Sequence, residues 1–387
     1  MIDETILGRA RTAAEELAPL ATEIETGRRL PAPAVDALVR AGVFKLLVPT
    51  AFGGSQAHPS TMLAVIEAIA RGDGSAGWCT MVGATSGLMS VYLDEAVARE
   101  VYGPTDATTC GVFAPMGRAT PTAGRGGYRV SGRWPFASGC EHSAWRMGGA
   151  MVMGETGPEL LPNGSPDVRS VLFRADETKV IDTWDTSGLR GTGSHDLEVT
   201  DVVVPTARTF SLLSGKPKHA GYTLPFFGVL AAGVGAVGLG IARAAIDTFV
   251  TMAQTKTPPG SKRTLAHREL VQLDVAKAEA RLRSARAFLF EAMDEAMVAT
   301  AGGTDTPTAL TARARLRIAA SHAAEESAAV TALAYEAGGG SAIYAKSPLQ
   351  RQFRDAHVVT HHLMVSKTAT TLAGRVLLGV ESDTTML

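Results

Sequence analysis

The chain has 387 residues, of which 45% are hydrophobic and 19% are charged, a composition typical of a globular protein with a large core rather than of a disordered or fibrous one. Lys and Arg (37) nearly balance Asp and Glu (38), so we expect no nucleic acid and no anionic membrane as a partner. At about 150 residues per domain, the length predicts two or three packed units.

The first third of the chain is predicted to be helical, because apolar residues recur at helical spacing over 2–102. Over about 107–208 the pattern changes to short runs rich in Val, Phe, Tyr and Trp between Gly and Pro, which predicts β-strands. We therefore predict an N-terminal helical domain at 1–106 and a β-domain at 107–209.

The rest of the chain, 210–387, is predicted to be a helical bundle. Helices are expected at about 226–256, 264–300, 306–337 and 355–378. The stretch 224–242 is uncharged for nineteen residues and approaches the length of a membrane span. Because it is rich in Gly and Ala and continues into charged residues at helical spacing, we expect a buried bundle helix.

Gly233-Val-Gly-Ala-Val-Gly238, in this stretch, matches the dinucleotide-binding fingerprint. Pro225 breaks the strand that should precede the fingerprint, and no acidic residue follows at the required distance. The glycines are better explained by close packing of helices.

The cysteines indicate the compartment. Cys79, Cys110 and Cys140 are odd in number and lack the close spacing of zinc or disulfide frameworks. The acidic start of the chain does not resemble a signal peptide. We expect a reducing cytoplasm.

Three motifs resemble the acyl-CoA dehydrogenase superfamily. Val48–Gly54 is similar to a loop of its first domain, and Trp184–Arg190 with the residues that follow resembles the strand pair that closes its β-domain. The most specific motif is Gly338–Gly340 followed by Pro348–Arg351 and Arg354-Asp355, which is similar to the family's flavin-adenosine loop and the segment leading to its active site. The resemblance covers nearly the whole chain.

This resemblance implies an α+β fold with a flavin held between the β-domain and a C-terminal four-helix bundle. A second subunit completes the site in this family, so a homotetramer is implied. Gly339 and Gly340 are implied to lie against the cofactor, which glycine permits. Arg263 falls near an arginine that the family uses on the flavin phosphates, and a solvated loop charge is the alternative interpretation.

The carboxylate that serves as the base in this family is missing. The usual glutamate in the last helix corresponds to Leu363, and the position on an earlier helix that a minority uses corresponds to Leu230. Leucine cannot accept a proton, so the dehydrogenase reaction lacks its general base. Ala114–Arg118 likewise lacks the serine that contacts the CoA substrate.

Two segments, Trp134–Trp145 and Arg354–His362, resemble instead the two-component flavin monooxygenases of the same fold. The resemblance implies O2 and reduced FAD or FMN from a separate reductase, used to hydroxylate a small aromatic or polycyclic substrate or to oxidise an amine. It implies that His362 is catalytic, as a base or as an orienting group, because an imidazole can titrate near neutrality.

Other residues of the first segment are implied to contact the flavin. Ser138 would donate a hydrogen bond near flavin N5 and hold the oxygenated flavin, with Trp134 and Phe136 beside it. Ser138 could instead be a turn residue, and His362 a helix-face histidine with a satisfied hydrogen bond. Ser86 replaces a histidine of many of these hydroxylases.

The type of flavin stays open, and the remaining histidines are not expected to bind a metal. Tyr335 replaces the usual glutamine before the glycine loop, which leaves the choice between FMN and FAD open. His142 is interpreted as structural. No metal is expected at His357 and His361, because Val358 stands where the zinc-protease motif needs a glutamate.

Two other functions are compatible with the sequence. One is an acyl-CoA dehydrogenase-like FAD oxidoreductase with an unconventional base, and the other is a catalytically silent flavin-binding relative.

Overall fold

The computed structural model describes residues 2–212, 214–219, 223–304 and 306–387. There the chain forms helices, then a sheet, then helices again, so the predicted order of segments is confirmed. The N-terminal helices are α1 (Glu4–Leu17), α2 (Ala21–Gly27), α3 (Ala32–Ala41), α4 (Pro59–Gly72), α5 (Gly74–Ser86) and α6 (Glu95–Tyr102). Asp73 caps α5 by accepting a hydrogen bond from the backbone N–H of Ala76.

The middle of the chain forms one mixed sheet. Its strands are β1 (Thr109–Pro121), β2 (Gly127–Trp134), β3 (Trp145–Val152), β4 (Val168–Arg174), β5 (Lys179–Ile181), β6 (Asp196–Pro205) and β7 (Thr209–Phe210). They lie in the order β5-β6-β2-β1-β3-β4-β7. β1 and β3 are parallel, and the other neighbours are antiparallel.

Trp134, at the end of β2, fills the core of this sheet. It is fully buried, and its Nε1–H donates to the carbonyl oxygen of Gly149 at 2.7 Å. A Cβ atom added at Gly117, Gly132 or Gly148 would come within 2.4, 2.7 or 2.6 Å of the indole ring. The glycines therefore make room for the indole, which fixes the point where the chain leaves β2.

The C-terminal helices form the bundle. They are α7 (Phe226–Thr255), α8 (Glu269–Thr300), α9 (Pro307–Gly338), α10 (Pro348–Val359) and α11 (Lys367–Leu377). By length and composition α7 could cross a membrane, but 89% of its apolar window is buried inside the protein. A Cβ atom at Gly235 would lie 3.1 Å from the Ala320 oxygen on α9, and one at Gly240 would lie 2.3 Å from the Glu67 oxygen on α4. The prediction that these glycines serve close helix packing is confirmed.

Two predictions of secondary structure are wrong. The last helix, predicted at 355–378, is two helices, α10 and α11, because His362 has extended backbone angles and Ser366 caps α11. Trp184–Arg190, predicted to be part of a strand pair, is an irregular loop. This loop is tied to α10, because the Leu189 N–H donates to Oδ1 of buried Asp355 at 2.6 Å.

The division into domains at 106/107 and 209/210 stays a prediction. The change from helix to strand lies between α6 and β1, and the change back lies between β7 and α7. β7 continues to Phe210, one residue past the second predicted boundary.

Candidate active site

Ser138 lies in a buried turn where the sheet meets the N-terminal helices. The turn follows β2 and is joined to the loop 192–195 by backbone hydrogen bonds. The Ser138 Oγ accepts a hydrogen bond from Nε1 of Trp78, on α5, at 3.0 Å, and it lies 2.6 Å from the Ser194 Oγ. The turn therefore brings a hydroxyl of the sheet against an indole of the helical region.

The protons of these hydroxyls have a defined direction. The Thr192 hydroxyl donates to the Leu189 carbonyl oxygen at 2.9 Å, so at 2.6 Å from Ser194 it can only accept. Because a hydroxyl carries one proton, Ser194 donates to Thr192 and accepts from Ser138, whose oxygen accepts from Trp78. In this arrangement the Ser138 proton points to Ser194, so donation to a flavin requires the Ser138 hydroxyl to turn.

Trp78 also contacts His362. The two ring centroids are 5.3 Å apart and the rings are nearly perpendicular. Trp78 therefore lies between the two residues that the sequence predicts to be catalytic, and the structure brings Ser138 and His362 together through it.

His362 is held in one tautomer. Its Nδ1 accepts a hydrogen bond from the Met364 N–H at 3.3 Å, so in the neutral ring the proton is on Nε2. Burial, followed by the positive charge of Arg317, lowers the pKa of His362 to about 4. The ring is therefore neutral at pH 7, and its Nε2 can donate a hydrogen bond but cannot accept a proton. This geometry favours the orienting role over the role of a base.

Arg317 is the cation next to this histidine. It projects from α9, is 4% exposed, and donates from Nη1 to the Phe227 carbonyl oxygen at 3.2 Å. The same Nη1 lies 3.2 Å from the Met364 sulfur. Burial lowers the pKa of Arg317 to about 10, so the guanidinium stays charged at neutral pH.

A cavity of about 470 Å³, in the size range of small-molecule pockets, reaches Phe227, whose carbonyl oxygen binds Arg317. Ser138, Trp78 and His362 are not among the described residues that line it. Phe226 and Phe227, at the start of α7, form part of its wall with Leu88 and Tyr92, which follow α5. Phe113 packs edge-on against Phe226, with ring centroids 6.4 Å apart. No Asp or Glu is among the described residues that line the cavity. Arg313, Thr304, Thr384 and Thr385 also line the cavity, so it offers a flat ring both aromatic contacts and polar partners.

The positions of the family's missing base offer no substitute. The Leu363 side chain is 68% exposed, and Leu230 is buried in the hydrophobic core. Asp355, the carboxylate of the Arg-Asp motif, accepts from the Leu189 N–H, and burial raises its pKa to about 7. Its role is to tie α10 to the loop before β6.

The two aromatic residues predicted to contact a flavin have opposite environments. The Trp134 ring is enclosed by the sheet core and presents no surface to a ligand in this structure. Phe136 is 68% exposed, has a φ of 65°, and packs edge-on against Trp184 at 6.1 Å. A non-glycine residue at positive φ is uncommon and is found often at functional sites.

Arg263, Gly339 and Gly340 lie elsewhere. Arg263 is exposed in the loop after α7, and Gly339 and Gly340 are exposed in the turn that ends α9. Lys256, at the end of α7, donates to the Gly338 carbonyl oxygen at 3.2 Å, which joins the two loops at one end of the bundle. His362 is linked to Phe227, at the other end of α7, through Met364 and Arg317. The structure therefore does not bring all predicted site residues together.

Four residues of the site were not predicted from the sequence: Trp78, Thr192, Ser194 and Arg317. The only available signal was the position of Thr192-Gly-Ser194 directly after the Trp184–Arg190 motif. Nothing in the sequence of α9 distinguishes Arg317 from its neighbouring arginines.

Comparisons with known proteins agree with this architecture. Residues 5–100 match the family model described as the N-terminal domain of acyl-CoA dehydrogenase, and residues 232–367 match that described as its C-terminal domain. The chain is 35% identical to an indole-3-acetate monooxygenase of Pseudomonas putida, over 92% of this chain and 89% of the relative.

Two further relatives extend over almost the full length. One is the oxygenase component of an FADH(2)-dependent resorcinol hydroxylase from Rhizobium sp. (strain MTP-10005), 27% identical over 97% of this chain and 94% of the relative. The other is 3-HSA hydroxylase from Rhodococcus sp. RHA1. Its crystal structure matches this chain with a TM-score of 0.87 and 28% identity over 99% of both chains. The likeness therefore includes the middle sheet and both helical regions.

Proposed function

This chain belongs to the acyl-CoA dehydrogenase family and is a flavin-dependent monooxygenase of that fold, and on this premise we propose that it hydroxylates a small indole- or phenol-type ring. The predictions of the family, the fold and flavin-dependent oxygenation are confirmed. The observation that carries the proposal is the cluster of Ser138, Trp78 and His362. Through Met364, Arg317 and Phe227 it is linked to a cavity that aromatic rings line in part and that has no Asp or Glu among its described lining residues.

The residues around Ser138 fit a flavin ring. Reduced flavin, when bound, supplies the electrons that activate O2. Phe136 offers an exposed aromatic face, which a flat ring can stack on. We assign Phe136 and Ser138 to contacts with the flavin, whereas Trp134 acts from the core by fixing the turn that carries them.

His362 positions the substrate in this proposal. Its Nε2–H is free to donate to a ring oxygen or another acceptor of the substrate, which fixes the carbon that is to be oxygenated. The rings of Phe226 and Phe227 in the cavity wall would limit the access of water to the reacting atoms. Ser138 can turn its hydroxyl from Ser194 to the flavin, and Trp78 stays in place to donate to its oxygen.

We further propose that the outer part of the flavin is bound by a second copy of the chain. Arg263, Gly339 and Gly340 are exposed and lie at the other end of the bundle from His362. A symmetric homotetramer would let these residues complete the site of a neighbouring copy. We propose FAD rather than FMN as the cofactor, because the resorcinol hydroxylase relative is FADH(2)-dependent.

The source of reduced flavin and the cellular location are also proposals. The resorcinol hydroxylase relative is an oxygenase component, which supports a separate reductase for this chain. The three cysteines are free and buried, which is compatible with a reducing cytoplasm.

The test supplies chemically reduced FAD or FMN and O2 to the pure protein, with indole-3-acetate, indole or resorcinol as the aromatic compound. We expect a hydroxylated product from at least one ring and none without reduced flavin. His362→Ala should lower product formation at least about 100-fold while hydrogen peroxide is still released. An enzyme that instead oxidises an acyl-CoA, or a His362→Ala variant with full product yield, would contradict the proposal.

A further inference from the structure

Arg317 carries a buried charge whose hydrogen bonds are incomplete. Among the described residues, its buried Nε has no hydrogen-bond acceptor, and its Nη1 reaches only the Phe227 carbonyl oxygen and the Met364 sulfur. Its lowered pKa has burial as its single cause, so no nearby carboxylate of the described residues compensates the charge. A buried cation without a counter-charge costs several kcal/mol by general estimates.

Another arginine of the same helical region is paired with a carboxylate. Arg286, on α8, donates from Nε to both carboxylate oxygens of Glu67, on α4, at 2.9 and 2.8 Å. Arg317 is more deeply buried than Arg286 and lacks such a partner among the described residues. The missing partner is therefore a particular property of the Arg317 position.

That position contacts one residue of the cavity wall and one residue of the turn that holds His362. Phe227, whose carbonyl oxygen binds Arg317, forms part of the cavity wall. Met364, whose sulfur touches Arg317, also donates its N–H to His362. A charged group bound at Arg317 would thus hold an attached ring between Phe227 and the imidazole.

We propose that Arg317 binds a carboxylate of the substrate, and that the preferred substrates are therefore aromatic carboxylic acids. This inference rests on the proposed hydroxylation of an aromatic ring. A guanidinium binds a carboxylate through parallel N–H···O bonds, which satisfies the unpaired Nε and the charge together. The Met364 thioether is a weak acceptor on a flexible side chain, so a carboxylate oxygen can displace it.

The recognition predicts a preference between two nearly isosteric ligands. Indole-3-acetate and indole-3-acetamide differ in charge but hardly in shape. The acid would neutralise Arg317, whereas the amide would leave a buried cation without a counter-charge. We expect the wild-type protein to bind the acid at least about tenfold more tightly than the amide.

The experiment measures binding of both ligands by calorimetry with the reduced-flavin complex under nitrogen, and then kcat/KM for both with O2. Arg317→Gln should lower the affinity for the acid at least about tenfold and leave the affinity for the amide unchanged. Arg317→Lys, which keeps the charge but loses the planar fork, should give an intermediate value. Arg281→Gln, which removes an exposed bundle arginine paired with Glu326, is the matched control and should change neither.

The outcomes separate the inference from the proposed function. Equal binding of acid and amide by the wild type, or equal loss of both in Arg317→Gln, would overturn the carboxylate site. Hydroxylation of neutral rings without a preference for acids would support the proposed function and contradict the carboxylate site. Arg317-dependent binding of the acid without any hydroxylated product would support the carboxylate site and contradict the proposed function. If Arg317→Gln does not fold, the acid-to-amide ratios of wild type and Arg317→Lys decide.

Discussion

The two parts of this site are built in different ways. The inner part consists of buried Ser138 and Trp78 with half-buried His362, and these side chains hydrogen-bond or pack against one another. The outer part, Arg263 with Gly339 and Gly340, is exposed. At Gly339 it includes a backbone conformation with positive φ that favours glycine.

The separation of the two parts follows from α9. Arg317, which neighbours the inner part, and Gly339 are 22 residues apart, which is about 33 Å at the rise of an α-helix. The difference teaches that a buried cluster can be interpreted from one chain, whereas an exposed one gains its function only when another molecule covers it.

The largest expected loss of stability comes from removing the hydroxyl at the centre of the inner part. Ser138→Ala leaves the Trp78 N–H and the Ser194 oxygen without their partner, and we expect a loss of stability of about 1–3 kcal/mol. The ratio of product to consumed O2 should fall at least about tenfold, because in the proposed site this hydroxyl binds the flavin. Denaturant unfolding and product analysis measure the two effects.

Ser143→Ala is the control for this change. The Ser143 hydroxyl is also buried and donates to the Gly139 carbonyl oxygen at 2.9 Å, so its removal should cost similar stability. We expect it to leave the product ratio unchanged. The same loss of product in both variants would mean that Ser138 acts only through folding.

The sequence predicts the inner part better than it predicts how the residues meet. Ser138 and His362 stand in motifs, but the contact of both with Trp78 depends on the packing of α5 against the sheet and the bundle. The break between α10 and α11 was missed because apolar spacing continues through it. Ser366 before Lys367 was the available capping signal.

Burial predicts a second effect for the inner part, on the pH dependence of stability. His362 has a pKa of about 4 in the folded protein and about 6.5 when unfolded. The unfolded chain therefore binds more protons between these values, so the stabilising contribution is present above pH 6.5 and is lost as the pH falls towards 4. Between pH 7 and 5 the wild type should lose about 2 kcal/mol more than His362→Gln.

Urea unfolding at the two pH values measures this difference. His361→Gln, which changes the exposed neighbouring imidazole, is the control and should behave like the wild type. Contributions of other groups, including Asp355, are common to all three proteins and cancel. An equal pH response of wild type and His362→Gln would show that the imidazole is not held neutral by burial.

The outer part should respond to backbone changes instead. Gly339 has a φ of 57° and a ψ of −149°, a conformation that only glycine adopts readily, so Gly339→Ala should cost about 1 kcal/mol and weaken flavin binding. At Gly340 an added Cβ atom meets nothing within 4 Å and the φ is ordinary, so Gly340→Ala should leave the stability unchanged. Thermal unfolding compares the stability of the two variants, flavin titration follows the binding, and equal losses of stability would remove the backbone argument.

The smallest effect on stability, and the sharpest test of the separation, is expected from Arg263→Gln. Because Arg263 is exposed, its loss should change the free energy of unfolding by less than about 0.5 kcal/mol. It should nevertheless weaken flavin binding if the side chain reaches the cofactor of a neighbouring copy. Co-expression with His362→Ala then distinguishes one chain from two: random mixing restores both residues in about a quarter of the sites if they come from different copies. No site is restored if they come from the same copy, so a mixture no more active than the two separate variants would contradict the shared site.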